Sequence, residues 1–86
     1  MMMIISLNNR KEDMTKKHFE TIARTLYLGV KSAENMEDDI ESANTLILLS
    51  NLIQRFEYDF ADFNDNFDPL AFRVATGINE ATKELF

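Results

Sequence analysis

At 86 residues, with 45% hydrophobic and 28% charged content, the chain is long enough for one domain, yet small enough that its core is marginal. A net charge of −6 excludes a phosphate-backbone binder, which needs a basic face. The absence of cysteine excludes disulfides and thiolate metal sites and fits a reducing compartment, and two Gly and one Pro are too few for the turns of an all-β fold, so the chain reads as all-α.

The first seven residues, M-M-M-I-I-S-L, are apolar but lack a basic flank and a small-residue cleavage site. They are too short to span a bilayer, so neither a signal peptide nor a membrane span is expected. Residues 1–13 read as a leader that is unordered, an edge strand, or an apolar arm that docks on a partner or a second copy. A helical core over 14–77 and a tail over 78–86 complete one domain spanning 1–86.

Thr15 is a good N-cap, and Phe19, Ile22, Ala23, Leu26 and Val30 follow at helical spacing. The first helix is therefore predicted over about 15–29, with Gly29 as its stop. Lys16 and Lys17 fall in the first turn, where the helix dipole prefers acids. His18 is the only histidine, and one His without partners makes no zinc site, so it reads as a surface or half-buried residue.

Ser32 and Asn35 are both credible N-caps for the second helix, predicted over about 36–63. Its seam is Leu46, Leu49, Ile53, Phe56, Phe60 and Phe63, stepping alternately by three and four. Ile47, Leu48, Leu52 and Tyr58 widen the apolar surface beyond that seam. Together with the first helix this makes an antiparallel hairpin. The alternation of acid and aromatic from Phe56 to Phe63 has the period of a strand, but the helical seam runs through it unbroken.

Asn64 to Asp68 is a turn by composition. Asp62, Asn64, Asn66 and Asp68 occupy alternate positions of a calcium-loop pattern, but Phe67 and Arg73 stand where that loop needs Gly and Glu. No metal and no cofactor is expected. Asp68-Pro69 is an N-cap followed by an N1 proline, so a short closing helix is predicted over about 69–76, ending at Gly77. Phe67 and Phe72 sit at hydrophobic-staple positions. The tail, with Ile78, Ala81 and Leu85 on one face, has helical propensity.

The segments M-T-K-K-H-F-E-T-I-A from Met14 and N-F-D-P-L-A-F-R-V-A-T-G ending at Gly77 carry a K-x-F-x-x-I-A start and an F-D-x-x-x-F-x-x-A-x-G end. In this the chain resembles a group of small bacteriophage-encoded proteins, over about Met14 to Gly77. The resemblance implies a phage origin and a helical fold, and it brings no active site. The leader before Met14, the tail after Gly77 and Pro69-Leu70 depart from the group's pattern.

No pairing of acid, base or nucleophile suggests catalysis. What the helices leave over is acid: Glu34, Glu37, Asp38, Asp39 and Glu41 around the connection, of which capping and dipole explain some, and Glu57, Asp59 and Asp62 along the long helix. These acids and the apolar seam are the candidate interaction residues. The expected function is protein–protein interaction in a host cytoplasm, binding or inhibiting a host or defence factor. Alternatives are an acidic nucleic-acid mimic competing for a basic groove, and a self-associating virion component. The surplus of apolar surface on the long helix predicts a homodimer with the long helices at its centre.

Overall fold

The computed structural model describes residues 15–85, so the leader expectations fall outside the described residues. The described residues are all-α, with α1 (Lys16–Glu34), α2 (Asp39–Phe63), α3 (Pro69–Thr76) and α4 (Ile78–Ala81). Phe19 meets Phe60 at one end of the α1–α2 pair, with ring centroids 5.0 Å apart. Gly29 lies against Leu49 nearer the other end. The two long helices therefore form the antiparallel hairpin that the periodicity predicts.

Thr15 is the N-cap of α1. Its backbone N–H donates to His18 Nδ1 at 3.0 Å, so the exposed imidazole does the work that Glu or Gln does in a capping box. The predicted stop at Gly29 is overturned: α1 runs one and a half turns further, to Glu34. Val30 and Ala33 are both buried there, and burying them outweighs the roughly 1 kcal/mol that an interior glycine costs a helix. Ser42 Oγ donates to the Ala33 carbonyl at 2.7 Å and ties this added turn to α2.

The predicted start of the second helix moves as well. Neither Ser32 nor Asn35 caps α2; Asp38 does, its Oδ1 accepting from the N–H groups of Ile40 at 2.8 Å and Glu41 at 3.1 Å. The two earlier candidates are absorbed because α1 continues through Ser32 and closes at Asn35. Leu46, Ile53 and Phe60 are buried, while Leu49 and Phe56 are half-buried against the core. Phe63 is 62% exposed, so the seam turns away from the core before its last member. The seven-residue steps 46–53–60 drift only slowly around the helix, whereas Phe63 belongs to the adjacent line.

Phe60 is the centre of an aromatic cluster. Its ring lies 5.5 Å from Phe67, 5.6 Å from Phe72 and 5.3 Å from Phe56. Phe67 and Phe72 are 5.5 Å apart, which is the staple predicted at the start of α3. Asp68 Oδ1 accepts from the Ala71 N–H at 3.1 Å, Pro69 follows at N1, and Gly77 closes α3 with φ of 75°. The tail is helical for one turn, Ile78–Ala81, then continues in turns. Ile78 is fully buried, Ala81 is half-buried and Leu85 is 40% exposed. Two buried threonines are satisfied locally: Thr76 Oγ1 donates to the Arg73 carbonyl at 2.6 Å, and Thr82 Oγ1 to the Ile78 carbonyl at 2.7 Å.

Candidate interaction surface

Two contacts place α3 and α4 on one side of the hairpin. Tyr27 of α1 packs against Gly77, where an added Cβ would lie 3.2 Å from Tyr27 Cδ1. Arg73 Nε of α3 donates to Glu57 Oε2 of α2 at 2.7 Å. The other side of the hairpin is uncovered among the described residues. Helical phase puts Thr21, Thr25 and Ser32 of α1 there, with Leu28 at the edge, and Leu48, Leu52 and Phe63 of α2. Leu28, Leu48, Leu52 and Phe63 are 61%, 67%, 45% and 62% exposed.

The threonines on this face are less polar than they read. Thr21 Oγ1 donates to the Lys17 carbonyl at 3.0 Å, Thr25 Oγ1 to the Thr21 carbonyl at 3.2 Å, and Thr45 Oγ1 to the Glu41 carbonyl at 2.7 Å. With each hydroxyl turned back on its own helix, the methyl group is what the surface presents.

The candidate acids separate into three kinds. Glu57 is bound into the fold: its side chain is 17% exposed and paired with Arg73 across α2 and α3. Its place was legible, because it follows Ile53 by four and precedes Phe60 by three, which puts it beside the buried line. Other acids serve their own helix. Asp38 caps α2, Glu34 bonds Lys31 at 3.0 Å and holds that ammonium's pKa above its ordinary value, and Asp59 meets Arg55 at 3.4 Å. Glu37, Asp39, Glu41 and Asp62 are exposed and form no ion pair among the described residues. Three of these four, Glu37, Asp39 and Glu41, sit together at the tip where α1 turns into α2.

A cleft of about 530 Å³ opens between α1 and α3, walled by Phe19, Ala23, Phe72 and Ala75. Ala23 of α1 and Ala75 of α3 leave room between the two phenylalanines. Lys16, Glu20 and Asp68 stand around it. It holds no nucleophile paired with a base, and Asp68 is already committed to the α3 cap. Of the calcium-pattern positions, Asn64 Oδ1 accepts from the Asn66 N–H at 2.8 Å and Asp68 is the α3 cap. Among the described residues, no three His, Cys, Asp or Glu side chains converge on a point that would hold a metal ion. No helix among them is long and apolar enough to cross a membrane. Comparison of the chain with protein-family models, curated proteins and solved structures finds no match.

Proposed function

We propose that the chain is a small, non-enzymatic interaction protein of bacteriophage type that acts in the host cytoplasm by binding, and so occluding, a host or defence protein. The observation that carries this reading is the tip between α1 and α2. Glu37, Asp39 and Glu41 are exposed there and unpaired among the described residues, while the neighbouring Asp38 and Glu34 have structural work. Asp39 and Glu41 also complement the α2 dipole, whereas Glu37 precedes the cap and lies outside the helix. A concentration of like charge at one end steers a basic partner and fixes its orientation more than it adds affinity. The resemblance over Met14 to Gly77 supplies the phage origin, and the cysteine-free composition agrees with a reducing cytoplasm.

The test is affinity capture from a bacterial host lysate, read by mass spectrometry, using the wild-type chain beside the triple variant Glu37→Lys, Asp39→Lys, Glu41→Lys. Asp38 is kept, so α2 keeps its cap, and circular dichroism checks that both chains have the same helix content. A basic protein retained by the wild type, lost on the triple variant and released as salt rises is the expected result. The same set of proteins on both chains would overturn the reading.

A further inference from the structure

We infer that the uncovered face of the α1–α2 hairpin is the seat of a second copy of this chain, with α1 of each protomer lying across α2 of the other. The face has the composition of an interface centre rather than of solvated surface. Leu28, Leu48 and Leu52 are exposed together at mid-height, and Thr21, Thr25 and Thr45 around them present methyl groups because their hydroxyls are spent on backbone carbonyls. The antiparallel level of the two helices follows from their contacts. Gly29 faces Leu49, so Leu28 stands level with Ser50, between Leu48 and Leu52. Two copies stacked with α1 on α2 bring Leu28 of each over Leu48 and Leu52 of the other.

Charge selects the occupant and the symmetry. Glu57 is tied to Arg73 of α3 and Lys16 borders the α1–α3 cleft, so neither bears on the uncovered side; towards the open end of the hairpin α2 leaves Asp62 and α1 leaves Lys17 without an ion pair among the described residues. Two hairpins can stack by a two-fold axis across the helices, which sets α2 on α2, or by one along the helices, which sets α1 on α2. The first sets the acidic ends of α2, Asp39 and Glu41 at its start and Asp59 and Asp62 at its close, against acids of the partner's α2. The second sets acid against base at the open end of the hairpin. Phe19 meets Phe60, so Lys17, two residues before the one, is level with Asp62, two residues after the other. Neither Lys17 nor Asp62 has an ion-pair partner among the described residues of its own chain, so both are free to pair across the interface. The long helices are therefore not paired at the dimer centre as the composition alone suggests. Each is flanked by the partner's α1, and both acidic tips point the same way.

Sedimentation equilibrium over about a hundredfold range of concentration tests this. The wild type is expected to sediment as a dimer that dissociates on dilution. Leu52→Asp is expected to sediment as a monomer of unchanged helix content, since Leu52 is solvent-exposed in the protomer. Lys17→Asp and Asp62→Lys each weaken the dimer by about tenfold, because each is counted twice across the two-fold axis. The double variant Lys17→Asp with Asp62→Lys returns it to near wild-type strength. A monomeric wild type overturns the proposal, as does a dimer that survives Leu52→Asp. Failure of the double variant to recover overturns the α1-on-α2 arrangement.

Discussion

Glu57 and Asp59 are two residues apart and differ in everything that matters to stability. Glu57 and Arg73 are 17% and 23% exposed and make a 2.7 Å contact between two helices, so removing the carboxylate leaves a largely buried guanidinium without its partner. Glu57→Ala is expected to cost about 1–3 kcal/mol in denaturant unfolding. Asp59→Ala, which removes a solvent-screened contact to Arg55 at 3.4 Å, is expected to stay within about 0.5 kcal/mol. Equal costs for the two changes would mean that the Arg73 pair is not worth its burial. Composition places both acids in one group, because charge alone says nothing of which side of a helix a residue occupies. Phase relative to Ile53 and Phe60 does say it, and that part was readable. The identity of Arg73 as the partner was not, since sixteen residues and a turn separate it from Glu57.

At the scale of elements, the two glycines show where local rules end. Both read as helix stops. Gly77 is one, with φ of 75° and an added Cβ meeting Tyr27 at 3.2 Å, so Gly77→Ala is both strained and crowded. It is expected to destabilise by about 1–2 kcal/mol. Gly29 is inside α1, in helical conformation, and an added Cβ would meet Leu49 Cδ2 at an ordinary 4.0 Å. Gly29→Ala is therefore expected to stabilise by about 0.5–1 kcal/mol. Opposite shifts in melting temperature are the check, and shifts of the same sign would contradict the α1 boundary. The helix period, the cap at Asp68 with Pro69, and the stop at Gly77 were legible because each is a local preference that tertiary contacts reinforce. The stop at Gly29 failed because Val30 and Ala33 are claimed by the core, a long-range fact that no window of ten residues contains. The cap moved from Asn35 to Asp38 for the same reason. The seam was legible at Leu46, Ile53 and Phe60 and misleading at Phe63, because a three-four step leaves two neighbouring lines open and only packing chooses between them. The contrast is measurable: Phe60→Ala, which deletes the ring shared by Phe19, Phe56, Phe67 and Phe72, is expected to cost about 3–5 kcal/mol and to leave this small domain close to unfolding. Phe63→Ala is expected to cost far less.

At the scale of the whole molecule, α3 and the single turn of α4 cover one side of the hairpin and leave the other bare among the described residues, so the stability of the protomer and its association are not separate questions. A native state that exists as a dimer gains stability from concentration, because unfolding releases two chains. Each tenfold rise in protein concentration stabilises a dimer by about 1.4 kcal/mol, or half that per chain. For a domain of this size that is a rise of about 3–6 °C in Tm. The wild-type melting temperature, followed by circular dichroism, is therefore expected to climb by that much per decade of concentration. Leu52→Asp should melt at a temperature independent of concentration, since its protomer keeps every buried contact but cannot stack. Raised salt separates the two contributions to the interface further. It screens the α1-to-α2 charge pairing while strengthening leucine burial, so the dimer of the charge-swapped double variant and that of the wild type should respond to salt alike, both differing from either single reversal. A wild-type Tm flat across concentration would overturn the dimer.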